Sequence, residues 1–273
     1  MGLRINQNIA AMNAHRNLSV TDGQMSKSLE KLSSGFRINR AADDAAGLAI
    51  SEGLRAQVGG LKVAVRNAQD GVSVVQTAEG ALTETHSILQ RMRDLAVQAS
   101  NDGALSDTDK TKADKEYQAL ASELDDIATK TTFNGTALLD GTYTTKAFQV
   151  GANKAETLSV SIGDMKAATL TGGVGDITTA ANAQTALGNL DTAIGKVSTE
   201  RAGLGAVQNR LEHKINNLNV AVENLSASES RIRDTDMAQE MVSFTRSQIL
   251  SQAGTAMLAQ ANQAPQGVLS LLR

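Results

Sequence analysis

The chain has 273 residues and a formal net charge of −3, with six aromatic residues, one proline and no cysteine. The missing cysteine excludes a disulfide scaffold, a thiolate zinc site and a cysteine nucleophile. The near-neutral charge argues against a general nucleic-acid binder, which would be basic. Because each buried aromatic side chain fills roughly 150–250 Å², six of them indicate that the chain builds no wide globular core. With one proline to break helices, long helices packed side by side are favoured.

The amino-terminal segment, residues 1–43, has a thin apolar stripe and a net charge of +3. The stripe consists of Ile5, Ile9, Met12, Leu18, Met25, Leu29 and Leu32. Amide side chains interrupt it, so we expect no cleaved secretory signal peptide. No run of about 18 apolar residues occurs anywhere, so we expect no transmembrane helix.

A long helix is predicted from near Asp44 to near Ser100, because apolar residues follow a 3-4 spacing typical of a coiled-coil seam. The seam positions are Val58, Leu61, Val65, Ala68, Val72, Val75, Glu79, Leu82, His86 and Leu89. Asp43 or Asp44 is the expected N-cap. Glycines in this helix predict close packing against neighbours, namely Gly47, Gly53, Gly59, Gly60, Gly71 and Gly80.

After a break at residues 101–103, a third helix is predicted to begin at Ser106 or Asp107. From about Thr131 to Thr179 the period changes, and a β-hairpin is predicted at about 131–165. Residues 148–150 and 158–162 alternate as the strands of a β-hairpin, and Phe133-Asn134-Gly135 signals a turn. Residues 172–176 are predicted to form an exposed loop.

From about Asn182 a second seam continues for about 70–75 Å if helical. Its positions are Leu187, Leu190, Ile194, Val197, Arg201, Leu204, Gln208, Leu211, Ile215, Leu218, Val222, Leu225, Glu229 and Ile232. The fold class predicted is mainly α, a long-helix, coiled-coil-like bundle with one small β-hairpin region.

The carboxy-terminal segment, residues 228–273, is again thinly apolar and has no net charge, whereas the middle of the chain has a net charge of −6. We expect both ends to be frayed in the monomer and to fold when neighbouring molecules cover them. The predicted assembly stripe is Ile5, Ile9, Leu29, Leu32, Phe244, Ile249, Leu250, Leu258, Leu269 and Leu272.

The histidines His15, His86 and His213 have no metal-ligand spacing, and His86 is expected at a helix interface. No nucleophile motif is present. We therefore predict no catalytic residues, no cofactor and no metal site.

Several long motifs resemble bacterial flagellin over nearly the whole chain. They are residues 5–8, 29–39 and 42–50 at one end, 66–71, 76–82, 89–98 and 133–135 in the middle, and 231–238 and 260–263 at the other end. Only a short loop lies between about Ile162 and Asn182, so the chain resembles a minimal flagellin without inserted outer domains.

The resemblance implies four segments: residues 1–43 and 228–273 as the two parts of an inner core domain, 44–180 as the first part of an outer-tube bundle with the hairpin at about 131–165, and 181–227 as the bundle's carboxy-terminal helix. It implies a structural subunit that polymerises into the flagellar filament for swimming, exported by the flagellar type III apparatus and located outside the cell. An alternative is a hook–filament junction protein. An enzyme embedded in a flagellin scaffold is a further alternative, which the missing insert argues against.

The partners implied are other copies of the subunit, the flagellar cap, hook-junction proteins and an export chaperone that binds the carboxy-terminal segment. Residues 89–98 resemble the stretch that an innate immune Toll-like receptor recognises. Carried over, Gln90, Arg91 and Leu95 would contact the receptor, although Asp94 stands where many recognised members have Glu. No nucleic-acid or membrane partner is expected.

Overall fold

The structure, a computed structural model, describes residues 7–103 and 105–271, with side chains up to residue 263. Helices dominate these residues and four short strands interrupt them. In chain order the elements are α1 (Ile9–Ser34), α2 (Ala45–Ala99), α3 (Asp107–Lys130), β1 (Thr132–Phe133), β2 (Thr136–Ala137), β3 (Lys146–Gln149), β4 (Thr157–Val160), α4 (Ala167–Thr171), α5 (Ala180–Arg233) and α6 (Met237–Leu271). The prediction of a mainly α bundle with a small hairpin region is confirmed.

Side-chain caps set the first residues of α2 and α3. The Asp44 Oδ1 accepts a hydrogen bond from the Gly47 backbone N–H at 2.8 Å. The Ser106 Oγ accepts one from the Asp109 N–H at 3.3 Å. Each oxygen satisfies a backbone donor that has no partner in the first helical turn, so both predicted N-cap assignments are confirmed.

The two predicted seams face the interior. Every seam position of α2 and of α5 is buried or half-buried, and Leu82, Leu89, Leu190 and Leu211 are fully buried. Because the 3-4 spacing keeps these side chains on one side of each helix, each seam forms a continuous packed face. His86 is half-buried on its seam, as expected.

The predicted hairpin is present as the antiparallel pair β3–β4, in which Lys146 lies opposite Val160 and Gln149 opposite Thr157. A second, smaller antiparallel pair, β1–β2, surrounds the predicted Asn134-Gly135 turn. Both turn residues have a positive φ, 48° and 77°. This is the combination that tight hairpin turns require and that Asn and Gly adopt most readily. Two-residue strands show no alternation, so the sequence indicated the turn alone.

Helix α4 was not predicted, because its five residues span little more than one helical turn and show no helical period. The predicted loop follows it: residues 172, 173, 175 and 176 are exposed and Val174 is half-buried. The next residue, Ile177, is fully buried.

The chain divides into two compact units. The terminal unit contains residues 1–56 and 224–273, and the central unit contains residues 57–223. Helices α2 and α5 contribute residues to both. The main core lies in the central unit, where one buried cluster contains Leu89 and Met92 of α2, Leu124 of α3, Leu190 of α5 and Leu138, which follows β2.

Candidate assembly surface

Helices α1 and α6 run antiparallel in the terminal unit. Near the start of α1, the Asn8 side chain donates to the Ala261 carbonyl at 2.7 Å. Further along, the Ser251 hydroxyl donates to the Asp22 carboxylate at 2.9 Å. Near the end of α1, the Lys31 ammonium lies 3.8 Å from the Glu240 carboxylate. These contacts join the ends of the chain into one helical pair.

The buried residues on the inner face of this pair are small. Ala14 and Ser28 of α1 and Ser247 of α6 are buried. A Cβ atom built on Gly254 would stand 3.2 Å from the Leu18 Cδ1. Small side chains allow the two helix backbones to approach closely, and the large apolar residues between α1 and α6, such as Leu18 and Phe244, are only half-buried.

The outer faces of both helices carry large apolar side chains in contact with solvent. On α1 these are Ile9, Met12, Val20 and Leu29, and on α6 they are Met237, Met241, Val242, Ile249, Leu250 and Met257. Their exposed fractions range from 48% to 66%. In the described part of the central unit the exposed large apolar side chains are Val63, Val97 and Val220. Exposed apolar surface is therefore concentrated on the terminal unit, and such patches mark interaction surfaces.

A shallow groove of about 510 Å³ lies on the outer surface of α6. Its lining residues are Met241, Val242, Thr245, Arg246, Ile249 and Leu250. A helix that buries one face and remains apolar on the others is typical of a helix with further packing partners. We call the exposed apolar side chains of α1 and α6 the outer face.

The predicted assembly stripe divides between two faces. Ile9, Leu29, Ile249 and Leu250 belong to the outer face. Leu32, Phe244 and Leu258 are half-buried, and their spacing from Ser28, Ser247 and Gly254 places them on the inner face. Ile5 and Leu272 lie outside the described residues, as does the side chain of Leu269.

Val20 and Val242 of the outer face were missed, although each shares a side of its helix with a predicted stripe residue, since Val20 lies eleven residues after Ile9 and Val242 lies seven before Ile249. The signal available was composition: α6 has apolar residues on every side, which a helix with one buried face does not need.

A short connection between residues 35–37 and 232–235 holds the terminal unit together. The Arg37 N–H donates to the Arg233 carbonyl at 2.7 Å, and the Thr235 N–H donates to the Gly35 carbonyl at 3.0 Å. The Arg233 guanidinium lies 5.0 Å from the centre of the Phe36 ring and donates to the Glu52 carboxylate at 2.6 Å. A cation over an aromatic face and a charged hydrogen bond both stabilise this arrangement.

The Asp43 carboxylate closes the turn before α2. It accepts hydrogen bonds from the backbone N–H groups of Arg40 at 3.0 Å and Asn39 at 3.2 Å. The Arg40 hydrogen bond is the largest cause of the lowered pKa of Asp43, because these bonds favour the charged form. Adjacent Asp43 and Asp44 therefore serve two separate turns.

The residues predicted for receptor recognition lie on α2 in the central unit. Gln90 and Arg91 are exposed. The Arg91 guanidinium donates through Nε at 2.9 Å and through Nη2 at 2.6 Å to one oxygen of Glu116, which fixes its direction. Leu95 is only 3% exposed. Its side chain belongs to the core cluster, so the prediction that Leu95 is a surface contact does not fit the subunit as folded.

In the described part of the chain, no three His, Asp or Glu side chains come together as possible metal ligands. None of the described helices combines the length and apolarity needed to cross a membrane.

Two family models match the chain. The bacterial flagellin N-terminal helical region matches residues 5–144, and the bacterial flagellin C-terminal helical region matches residues 187–272. A flagellin of Halalkalibacterium halodurans is 55% identical over 98% of this chain and 99% of its own length. A flagellin of Bacillus subtilis is 53% identical over 99% of this chain and its full length.

Solved structures agree with these matches. The crystal structure of Bacillus cereus flagellin has a TM-score of 0.50 and 40% sequence identity, and covers 56% of this chain and 88% of that one. A flagellar hook-associated protein structure from Vibrio parahaemolyticus has a TM-score of 0.59 over 70% of this chain and all of its own, but its 14% identity shows a common fold alone. The two family models together match most of the chain and both relatives match nearly all of it, so the chain belongs to the flagellin family.

Proposed function

We propose that the chain is the structural subunit of a bacterial flagellar filament that drives swimming. The observation that carries this function is the outer face of the terminal unit, where large apolar side chains of α1 and α6 remain in contact with solvent. Each could contribute about 1.5–3 kcal/mol on full burial relative to full exposure. Neighbouring subunits are the partners that would cover them.

Polymerisation into a filament requires a contact between copies that repeats from each copy to the next. If the outer face of one copy binds a different surface of the next, the contact is heterologous, and copies form a helical filament when the rotation between neighbours does not close a ring. We place residues 1–43 and 228–273 in an inner core domain, and residues 44–180 and 181–227 in the surrounding bundle. Support for the first part is that residues from both ends of the chain group in one compact unit.

The filament subunit is favoured over a hook–filament junction protein. Relatives that are 53–55% identical over nearly the whole chain are named flagellin, whereas the hook-associated protein shares only the fold. Flagellins are structural proteins, and we propose that this chain likewise has no catalytic role. We also propose export by the flagellar type III apparatus, a location outside the cell, and contacts with the cap, junction proteins and an export chaperone.

One matched pair of substitutions tests the assembly surface. Ile249→Ser removes an apolar side chain that is 60% exposed on α6, and Val220→Ser removes one that is 56% exposed on α5 in the central unit. We expect Ile249→Ser to raise the subunit concentration needed for filament formation at least about tenfold, equivalent to roughly 1.4 kcal/mol. Val220→Ser should leave it nearly unchanged.

Filament formation is followed by sedimentation and electron microscopy, and circular dichroism checks that both variants remain equally helical. Removal of roughly the last 40 residues should abolish polymerisation altogether. Filaments formed by this truncation, or equal effects of the two serine substitutions, would contradict an assembly role of the outer face.

Recognition by an innate immune receptor is a further proposal, supported by the exposure of Gln90 and Arg91. Arg91→Ala should lower receptor signalling by the monomer. Arg93→Ala is the matched control, because Arg93 is also exposed on α2 and also pairs with an acidic residue, Asp191, at 2.8 Å. Equal signalling by the two variants, in a reporter-cell assay in which the unmodified chain is active, would refute the role of Arg91.

A further inference from the structure

Apart from Met25 of α1, which is half-buried, the described methionine side chains fall into two groups by exposure. Met12, Met237, Met241 and Met257 are exposed by 66%, 48%, 50% and 62%, and all four belong to the outer face of α1 and α6. Met92 and Met165 of the central unit are exposed by 0% and 5%. The accessible thioethers of the described side chains are therefore concentrated on the surface assigned above to assembly.

We propose that these four methionines are oxidation sites at which hydroperoxides inactivate the unassembled subunit. The inference rests on the proposed polymerisation and adds that oxidation regulates it. The exposed thioether sulfur attacks one oxygen of the peroxide, a sulfur–oxygen bond forms and the oxygen–oxygen bond breaks. The sulfur loses two electrons, the peroxide is reduced, and water leaves after proton transfer when the oxidant is hydrogen peroxide.

The product of this reaction does not suit a buried apolar contact. A sulfoxide is polar and carries a strong hydrogen-bond acceptor, unlike the flexible apolar thioether. Met241 lies in the α6 groove beside Val242 and Ile249, which offer no side-chain donor. The Thr245 hydroxyl in the same groove already donates to the Met241 carbonyl at 2.8 Å, so Arg246 is the lining side chain that could donate to a sulfoxide there. Burying the sulfoxide there against another copy would cost free energy unless a donor reaches it.

The four methionines are distributed over the outer face of both helices. Met237 and Met241 are four residues apart and share one side of α6, while Met257 lies seven residues beyond Leu250 on another side of the same helix. Met12 is on α1. Oxidation at these positions therefore places polar groups on both helices.

Assembly should in turn protect these sulfurs. Copies that cover the outer face exclude peroxide from it, whereas the exposed sulfurs of a free subunit react directly. Oxidation is thus selective for subunits not yet incorporated, and incorporated subunits retain their thioethers.

The experiment compares the full-length chain before and after polymerisation. Free subunits and filaments are treated with hydrogen peroxide, and peptide mass spectrometry measures sulfoxide at each position. In free subunits, Met12, Met237, Met241 and Met257 should oxidise at least fivefold faster than the buried Met92 and Met165. In filaments the four rates should fall at least fivefold.

Assembly assays then test the consequence. Oxidised subunits should need at least a tenfold higher concentration to polymerise. A variant with all four residues changed to Leu should polymerise and remain peroxide-resistant. Met241→Gln, a polar substitution, should weaken assembly more than Met241→Leu.

Several results would overturn the proposal. It is wrong if oxidised subunits polymerise normally, if filament and free-subunit rates are equal, or if the Leu variant loses assembly on peroxide treatment. If the quadruple variant does not fold, the position-specific rates and the Met241 pair decide the question. If untreated unmodified chain does not polymerise, the proposed function itself fails, which is a different outcome.

Discussion

Gly71 of α2 lies directly against Leu211 of α5: a Cβ atom at Gly71 would stand 3.2 Å from the Leu211 Cδ1 and 3.4 Å from the Phe148 Cδ1. The glycine allows α2, α5 and β3 to approach one another in the central unit. Gly80, nine residues further along α2, has open space where a side chain would go. Substitutions at these two glycines can therefore distinguish the effect of packing from the effect of helix propensity within one helix.

Gly71→Val should destabilise the central unit, and Gly80→Val should not. Valine has a higher helix propensity than glycine at both positions. The difference in the free energy of unfolding between the two variants therefore reports the effect of packing. Overpacking at Gly71 should cost about 1–3 kcal/mol. Urea unfolding measures the free energy of each variant, and equal values would show that α2 and α5 can separate without loss.

These glycines also show what the sequence could and could not predict. Close packing was expected at six glycines of α2, and it is confirmed at Gly47, Gly60 and Gly71, where a Cβ atom would meet neighbouring side chains. At Gly53, Gly59 and Gly80 the expectation is wrong, because no atom lies within 4 Å. A glycine in the sequence shows that a neighbouring element could approach the helix closely. Whether a neighbour is present depends on the tertiary fold.

The long helices were predictable because the seam spacing and the capping residues are local features. Which side chains of these helices are exposed and which are buried was less predictable. Helix α2 buries residues beyond its seam, including Val74, Met92 and Leu95, because other elements of the central unit cover a second side of it. The motif containing Leu95 matched the family, but a motif does not reveal which of its side chains point inward.

The Lys110 ammonium is buried near the start of α3. We expect its removal to cost less stability than removal of its acidic partner Asp102. Its side chain is 2% exposed and forms ion pairs with Asp102 and Asp107, which are 76% and 97% exposed. Lys110→Met removes the buried charge and leaves two well-solvated carboxylates, so it should cost less than about 1 kcal/mol. Asp102→Ala leaves the buried ammonium with the weaker partner, at 3.8 Å.

We therefore expect Asp102→Ala to cost about 1–3 kcal/mol, the loss usual for a buried polar group that loses its partner. Thermal and urea unfolding of the two variants test this order. A larger loss for Lys110→Met would mean that the charged pair itself, and not the desolvated ammonium, governs stability at this site.

The loop at residues 172–177 should weaken in acid because of Asp176. Its carboxylate accepts hydrogen bonds from the Asn182 amide at 2.6 Å and the Thr178 hydroxyl at 2.9 Å. These bonds, the Asn182 bond first, lower the pKa of Asp176. A lowered folded-state pKa adds stability that is complete above the unfolded value of about 4 and disappears as pH falls through the folded value.

Asp176→Asn should therefore destabilise the chain at pH 6, by less than about 1 kcal/mol because the carboxylate is exposed. The difference from the unmodified chain should shrink between pH 4 and pH 2. Asp94→Asn, an exposed substitution on α2, controls for the loss of one negative charge. Urea unfolding at a series of pH values is the measurement, and a constant difference across that range would refute the assignment to Asp176.

The terminal helices should exchange their amide hydrogens quickly until neighbours cover them. Between α1 and α6 the buried residues of the inner face are small, namely Ala14, Ser28 and Ser247, whereas its large apolar residues are half-buried and the polar contacts at Asp22 and Lys31 are only partly buried. Few buried apolar contacts mean a low free energy of local opening. The seam of α2 around Leu82 and Leu89 is fully buried.

Hydrogen exchange with mass spectrometry should therefore find α1 and α6 weakly protected in free subunits and the central part of α2 strongly protected. In filaments, exchange in α1 and α6 should slow at least about tenfold, because opening would then also break contacts with neighbouring copies. Protection of α2 around residues 82–89 should change little, and it serves as the internal reference. Terminal helices as protected in the free subunit as this reference would contradict folding coupled to assembly, since the pair would already be stable alone.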